Sequence, residues 1–214
     1  MYVPDRFALS ELSLQHEVIR AHAFGLLVTA GGDAPFATHL PFELEAGQGE
    51  LGTLRGHFSR SNPHWRTLEQ PVQALAVFAG PHAYVSPTWY PEGKRLPTWN
   101  YVTVHAYGTP RLIEPGSALE ALLAGLVARF EGPEGWSEDE QSPDFLEKMR
   151  RGVVGFEMPI SRIEGKAKLG QNHSRSHREG ALEGLRALGG DAHHDVADWM
   201  QRQLDGELDP EPDP

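Results

Sequence analysis

The sequence predicts a mainly β protein with peripheral helices, in which six to seven antiparallel strands form a closed barrel. Three apolar segments, 24–30, 35–45 and 49–58, follow one another with Gly-rich turns between them, which favours consecutive antiparallel strands. Residues 101–107 alternate Tyr, Thr and His with Val and Ala, which is typical of a half-buried strand. Closure into a barrel would remove the unpaired edges of this many strands.

The other elements are justified by local signals. Asn62-Pro63 and Ser142-Pro143 each combine a capping side chain with proline at the first helical position, so each predicts a helix start. We expect, in chain order, a helix over 10–22, the three strands, a short helix after Asn62, strands over 72–80, 82–86 and 97–113, a helix over 117–130, a helix after Ser142, a strand over 153–165 and two final helices.

The domain organisation is expected to be simple. A chain of 214 residues fits one domain, here 1–190, followed by a C-terminal helix over 191–204. Residues 205–214 are acidic and Pro-rich, so they cannot bury enough apolar surface to fold and predict a disordered tail.

Composition excludes several classes of function. The chain has no cysteine, which excludes thiolate catalysis and Cys-ligated metals. No apolar run approaches the roughly 20 residues of a membrane span and the N-terminus lacks a secretion signal, so we expect a cytoplasmic protein. The net charge of −11 makes DNA binding electrostatically unfavourable unless a local basic patch is used. The material for such a patch is Arg162, Lys166, Lys168, Arg175 and Arg178.

An aromatic-rich segment over 81–108 is where we place the function. Flat apolar faces that carry one polar group each suit a site that stacks a planar ligand, although strand aromatics also fit a core. The Pro-spaced loop 86–91 favours the site, because its Trp89 and Tyr90 are expected to be exposed and to need a partner.

Longer motifs then resemble a known family. They are ATHLP (37–41), GHFSRSNPHW (56–65), GPHAYVSPTWY (80–90), PTWNYVTVHAYG (97–108) and RIEGKAKLGQN (162–172), in this order. Over about residues 1–188 the chain resembles the PaiB-type FMN-binding negative transcriptional regulators. The resemblance implies a split β-barrel of the flavin reductase and pyridoxamine-phosphate oxidase type, which works as a homodimer with FMN at the subunit interface.

The motifs contain candidate residues for both ends of FMN. His57, Arg60 and Ser61 precede the helix start at Asn62, where free N–H groups and the helix dipole favour a phosphate. Thr38 and His39 could meet the pyrimidine edge of the ring, although a structural strand threonine is a serious alternative. For Arg60 the alternative is a solvated loop residue and for His57 a packed strand residue.

Further candidates follow on two later segments. The Asn100 amide offers a donor and an acceptor to the imide edge of the ring, and Trp99 and Tyr101 could wall the cavity; we expect these from the partner subunit. Three residues after the last strand, namely Lys166, Lys168 and Gln171, could neutralise the phosphate or the ring, or could form a solvated basic loop.

Two histidine pairs, His173 with His177 and His193 with His194, lack a third ligand and an oriented second shell, so we expect no metal site. Three functions remain open: an FMN-binding, redox-sensing negative transcriptional regulator, an FMN-dependent oxidoreductase, and a haem-binding split barrel with His39 or His105 as the iron ligand.

Overall fold

The structure is a computed structural model that describes residues 1–31, 33–91, 93, 96–132 and 135–208. Its contacts divide the chain into two compact units. We call them the terminal unit, which holds Met1–His22, Phe78–His105 and the chain from Glu164 onward, and the central unit, which holds Ala23–Val77 and Ala106–Ile163. Because each unit combines distant parts of the chain, neither corresponds to one continuous segment.

Seven strands occur within the described residues and form one antiparallel sheet. Their order is β3-β2-β1-β4-β5-β7-β6, and β3 also pairs with β7. The number of strands agrees with the prediction, whereas closure into a barrel stays a prediction. The strands are β1 Phe24–Gly31, β2 Ala34–Glu45, β3 Thr53–Ser59, β4 Ala74–Val85, β5 Thr98–Gly108, β6 Arg111–Leu112 and β7 Val153–Lys168.

Strand β4 corrects one detail of the sequence analysis. The sequence analysis predicts two strands, over 72–80 and 82–86, whereas the structure has one, β4. A Cβ at Gly80 would lie 2.8 Å from the carbonyl oxygen of Val102. Glycine therefore permits a close backbone approach to β5 that keeps β4 continuous.

The core of the central unit is built on alternate residues of its strands. Phe42, Phe58 and Phe156 are fully buried, and the ring of Phe156 lies 5.2 Å from that of Phe58 and 6.1 Å from that of Phe42. A Cβ at Gly56 would lie 2.9 Å from Leu40 and from Phe156. Each buried phenylalanine stabilises the fold by about 2 kcal/mol, so this cluster fixes the register of β3 against its neighbours.

The face of β1 opposite the buried Leu27 and Thr29 is apolar and only partly buried. Leu26 pairs with Val77, and Val28 pairs with Leu75, so these four side chains lie on one face. All four are half-buried, and Phe24 on the same face is 69% exposed. We call these five residues the outer face; a patch of this kind on a sheet favours contact with another protein surface.

Two helices complete the central unit, α2 over Ser117–Glu131 and α3 over Pro143–Arg150. Leu119 of α2 is buried, and a Cβ at Gly155 of β7 would lie 2.9 Å from it. The predicted cap of α3 is confirmed, since the Ser142 hydroxyl accepts a hydrogen bond from the Phe145 N–H at 3.4 Å.

The terminal unit carries three α-helices, α1 over Leu12–Ala21, α4 over Arg175–Leu188 and α5 over Asp191–Leu204. Arg202 of α5 forms two hydrogen bonds with the Glu17 carboxylate of α1, at 2.7 and 3.0 Å. Leu208 is buried, whereas residues 209–214 of the predicted tail lie outside the described residues. In the described part of the chain, no helix is both long and apolar enough to cross a membrane.

Candidate functional site

The central unit contains a buried hydrogen-bond network around His64. This residue lies on the short 3-10 helix Pro63–Glu69 and its side chain is fully buried. Its Nε2 lies 2.9 Å from the hydroxyl of Thr29, and its Nδ1 lies 2.7 Å from the hydroxyl of Thr38. The Asn62 amide donates to the Thr38 hydroxyl at 3.2 Å and accepts from the His64 N–H at 3.0 Å. The network therefore holds Thr38 and Asn62, two predicted cofactor residues, next to each other.

His64 acts in this network as a neutral ring. Burial lowers its pKa, so at neutral pH one ring nitrogen donates and the other accepts. Phe36 stacks on the ring with centroids 4.5 Å apart, and Phe58 meets it edge-on at 5.3 Å. Because the His64 N–H is already bonded to Asn62, one of the free N–H groups expected at this helix start is occupied.

Two predicted histidines lie outside that network. His39 faces away from Thr38 because neighbours on a strand alternate, and it is exposed with its ring 6.0 Å from that of Phe24. His57 on β3 is half-buried, and its Nδ1 is a buried atom with no hydrogen-bond partner among the described residues. Burial lowers the pKa of His57.

Arg60 and Ser61 are the remaining predicted cofactor residues of the central unit. The Arg60 guanidinium donates to the carbonyl oxygens of Arg151 at 2.7 Å and Val153 at 3.1 Å. In the part of the chain that the structure describes, it has no carboxylate partner, so its charge is fixed in place without being neutralised. The Ser61 hydroxyl lies 2.8 Å from that of Ser59. Arg60 is thus oriented by the start of β7 rather than by Thr38.

The terminal unit holds the other six predicted residues, three of them on β5. Trp99 is 55% exposed, Asn100 is 1% exposed and Tyr101 is half-buried, as alternation requires. The Asn100 amide nitrogen lies 3.3 Å from the sulfur of Met200, while its Oδ1 has no partner among the described residues. The structure therefore separates Asn100 from the two aromatics, because it faces the interior of the unit.

Exposed aromatic side chains surround Trp99. Its ring centroid lies 6.1 Å from that of Tyr84, at an angle of 72°, and 6.2 Å from that of His82. Tyr84 is 45% exposed and His82 is also exposed. We call His82, Tyr84 and Trp99 the aromatic platform, since it offers flat apolar area at the surface.

The two predicted lysines differ in their environments. Lys166 is buried; its ammonium donates to the carbonyl oxygen of Tyr2 at 3.1 Å and lies 5.3 Å from the ring centroid of Tyr101. The Lys168 ammonium donates to the Trp99 carbonyl oxygen at 2.8 Å. Desolvation, and secondly the charge of Lys166, lowers the pKa of Lys168. Lys168 is thus a cation fixed to the backbone of Trp99 and to the Thr98 hydroxyl, on the neighbouring strand β5.

Lys168 also lines a cavity of about 350 Å³ in the terminal unit. Most of its lining was not predicted from the sequence, because the N-terminal segment carries no motif and His173 was weighed with His177 as a metal ligand. The predicted Gln171 does not line it; the side-chain amide accepts from the Leu169 N–H and donates to the Ala167 carbonyl. The lining residues are Tyr2, Pro4, Arg6, Phe7, Thr98, Lys168, Asn172 and His173.

The prediction that loop 86–91 exposes two aromatics is wrong. Tyr90 is 3% exposed, and its ring lies 5.4 Å from that of His173 and 4.9 Å from that of His177. Trp89 packs where a Cβ at Gly184 of α4 would overlap its indole. The partner that these aromatics need is a helix of their own chain. In the described residues no group of three or more His, Asp or Glu could hold a metal ion.

The basic residues between 162 and 178 do not form one free patch. Lys166 is buried, Lys168 is bonded to β5, and the Arg178 guanidinium donates to Gln203 at 2.8 Å. Arg175 is exposed but pairs with Glu179 on the next turn of α4 at 2.8 Å. The charges of Lys166, Lys168 and Arg178 are therefore engaged within the chain, whereas Arg162 and Arg175 are exposed.

Solved structures share this architecture. The FAD and haem binding protein of Mycobacterium smegmatis aligns with a TM-score of 0.57 at 15% identity, over 87% of this chain and 82% of that one. The flavocytochrome Anf3 of Azotobacter vinelandii aligns with a TM-score of 0.58 at 16% identity, over 77% and 70%. Together with the seven-stranded antiparallel sheet and its peripheral helices, these neighbours confirm the predicted class, the split barrel of the flavin reductase and pyridoxamine-phosphate oxidase type.

Sequence comparison gives the family. The model described as "Putative FMN-binding domain" matches residues 1–162, and the chain belongs to this family. Protease synthase and sporulation protein PAI 2 of Bacillus subtilis (strain 168) is 32% identical over 208 residues, which cover 95% of this chain and 98% of that protein. An uncharacterised protein of Emericella nidulans is 29% identical over 95% and 97% of the two chains. The PaiB-type resemblance is therefore confirmed, and the family supports a flavin cofactor.

Proposed function

We propose that this chain binds FMN as a homodimer and acts as a negative transcriptional regulator of the PaiB type that responds to the redox state of the flavin. The observation that carries the cofactor part is the exposed aromatic platform, with the Lys168 ammonium bonded to the backbone of its Trp99. A bound flavin would supply reversible one- and two-electron transfer, which suits redox sensing and would equally serve a small-molecule oxidoreductase. The family of the chain makes the regulator our first choice.

The residues of the terminal unit fit the chemistry of a flavin ring. Trp99 and Tyr84 offer exposed flat surface, and the Lys168 ammonium is bonded to the strand that carries Trp99, 2.8 Å from its carbonyl oxygen. A ring that accepts electrons gains negative charge, which a nearby cation stabilises. Asn100 faces the interior of the unit, so we expect its contact with the ring, through a carbonyl oxygen that lacks a partner within the described residues, to require a local rearrangement. Lys166 keeps Tyr101 in place, and Gln171 shapes the turn after Lys168.

The central unit supplies groups for the polar edge and the phosphate. Thr38 and Asn62 are oriented by His64 and offer hydroxyl and amide groups, with His39 next to Thr38 on β2 and His57 on β3. Arg60 is the cation we assign to the phosphate, with Ser61 beside it, because its guanidinium is fixed but not neutralised. A guanidinium group that is already held in place loses little conformational entropy when it binds an anion.

The outer face supports the homodimer. Its five side chains are apolar and incompletely buried, which is the composition expected of a surface that a second copy covers. In the dimer that we propose, Trp99 of the partner subunit walls the ring that Thr38 of the first subunit contacts. DNA contact, if the regulator makes any, is expected to be indirect, since the net charge is −11.

The test is to incubate the full chain with FMN and to measure flavin absorbance and fluorescence quenching, with sedimentation equilibrium on the same sample. We expect quenching by a dimer. Absence of quenching at all accessible FMN concentrations would remove the cofactor proposal, and a monomer that quenches FMN would remove the interface. The regulatory part is tested by comparing transcripts of cells that carry the wild-type chain with those that carry Trp99→Ala.

A haem-binding split barrel is the second candidate, and the exposure of His39 favours it. An axial ligand needs an accessible imidazole nitrogen, and His39 lies on the surface of β2 against Phe24. Incubation with haemin would then give an intense band in the near-ultraviolet that His39→Ala abolishes and His57→Ala leaves unchanged.

A further inference from the structure

The central unit contains a second cavity, of about 630 Å³, that lies beside α2 and α3. Three arginines and two glutamates line it, and Glu138, which pairs with Arg150, lies next to the lining. Its other walls are small or apolar. The lining residues are Arg60, Pro115, Gly116, Leu119, Glu120, Glu147, Arg150 and Arg151.

We propose that this cavity is a binding site for a phosphate monoester with an apolar body, and that Arg150 and Arg151 complete the site that Arg60 begins. Planar guanidinium groups bind phosphate oxygens through paired N–H donors, and three of them line one cavity. Leu119 and Pro115 provide a wall for the organic part. The volume lies within the range of ordinary small-molecule pockets.

Arg150 carries the most specific sign of a missing acceptor. Its terminal nitrogens reach Glu138 at 2.7 Å and Glu120 at 3.5 Å, yet its Nε is buried and has no hydrogen-bond partner among the described residues. A buried donor without an acceptor is costly, and nearly all such groups in proteins are satisfied. A rotation of the side chain towards the cavity would let an oxygen of a bound phosphate satisfy it.

The other two arginines can serve an anion at little cost. Arg60 is held by two carbonyl oxygens and needs no rearrangement. Arg151 pairs with Glu147, but their side chains are 73% and 64% exposed, so this pair contributes little to stability and is readily exchanged for a ligand. Glu147 is then a competitor for the site, and its removal should strengthen anion binding.

Phosphate monoesters reach the protein from two sources, FMN itself and a separate phosphorylated metabolite. The proposal does not rest on flavin binding, because it can be tested with phenyl phosphate, which carries no flavin. Isothermal titration of the full chain with phenyl phosphate is expected to show binding that Arg151→Gln weakens roughly tenfold and Glu147→Gln strengthens about threefold. A ligand site predicts that the two variants change the affinity for phenyl phosphate in opposite directions. If the ion pair were only structural, its loss would have the same effect in both variants.

Arg175→Gln is the matched control, since Arg175 forms the same kind of exposed i,i+4 pair with Glu179 but lies in the terminal unit. Its affinity for phenyl phosphate should equal that of the wild type. Arg150→Gln should weaken binding as well, and Arg151→Gln keeps the test valid should Arg150→Gln unfold α3. Absence of binding, or binding that Arg151→Gln and Glu147→Gln leave unchanged, would overturn the proposal.

Titration in the presence of saturating FMN or riboflavin then separates the two sources. If the cavity takes the phosphate of FMN, phenyl phosphate competes with FMN but not with riboflavin, and the preference for FMN over riboflavin falls in Arg151→Gln. If it takes a separate metabolite, phenyl phosphate binds the FMN-loaded protein with unchanged affinity. Either result supports the site, and a chain that binds no flavin at all is still tested by phenyl phosphate alone.

Discussion

The two groups of candidate residues differ in how far their own chain satisfies them. In the central unit, Thr38 and Asn62 are bound to a buried histidine, and each polar group there contributes to the fold. In the terminal unit, Trp99 and Tyr84 are 55% and 45% exposed, so the fold depends little on them. The comparison teaches that mutations in the first group should mainly change stability, whereas mutations in the second should mainly change binding.

The largest expected effect is that of His64→Ala. It removes a fully buried ring and one hydrogen-bond partner from each of the hydroxyl groups of Thr29 and Thr38, so the free energy of unfolding should fall by about 3 kcal/mol. Urea unfolding followed by circular dichroism measures it. The exposed His39→Ala is the control and should change stability by less than about 0.5 kcal/mol. Equal losses in the two variants would break the comparison.

A smaller effect in free energy is expected for Trp99→Ala. Loss of a stacking surface should lower FMN affinity roughly tenfold, while the midpoint of urea unfolding stays near that of the wild type. Quenching of FMN fluorescence measures the affinity. Trp136, which is 39% exposed in the central unit, provides the matched Trp136→Ala control with unchanged affinity. Unfolding of Trp99→Ala at much lower urea would contradict our assignment of the platform.

The two lysines sharpen the comparison within one strand. Lys168→Gln should lower FMN affinity about fivefold, because it removes an incompletely buried cation beside the platform. Lys166→Gln should lower the free energy of unfolding by about 1 kcal/mol, because the buried ammonium bonds the chain near Tyr2. The same titration and urea experiments check both variants. An exchange of these two outcomes would refute the roles that we assign.

The smallest effect near neutral pH concerns buried histidines. Burial lowers the pKa of His64 and of His57 from the ordinary value of 6.5, so the unfolded chain binds protons more readily than the folded one. Their contribution to stability is therefore complete above about pH 6.5 and is lost as the pH falls below it. Urea unfolding between pH 7 and 5 should show this decline, and it should be shallower in His64→Gln than in His39→Gln.

Local patterns explain why much of the fold was predictable. The caps at Asn62 and Ser142 and the alternation of β5 are confirmed, because these signals involve residues within a few positions of each other. The same alternation, extended from residues 101–107 to the start of β5, places Asn100 on the inner face. Loop 86–91 was misjudged since its partner, α4, lies about ninety residues later.

The candidate site was less predictable for the same reason. Lys166 bonds to Tyr2 and Asn100 contacts Met200, and no local pattern relates residues so far apart in the chain. Arg60 was identified as a cation by its motif, but its orientation depends on carbonyl groups at the start of β7. Residue type can suggest a role, whereas its direction is set by tertiary contacts.

The packing of Trp89 against α4 has a consequence for the order of folding. Gly180 and Gly184 lie one turn apart on that helix, and each glycine disfavours an isolated helix by roughly 1 kcal/mol relative to alanine. Any larger residue at either position would collide with the backbone or the indole of Trp89. Segment 175–188 should therefore remain unfolded when it is first synthesised. The 87–91 turn is synthesised earlier, and the helix should form only as the segment packs against it.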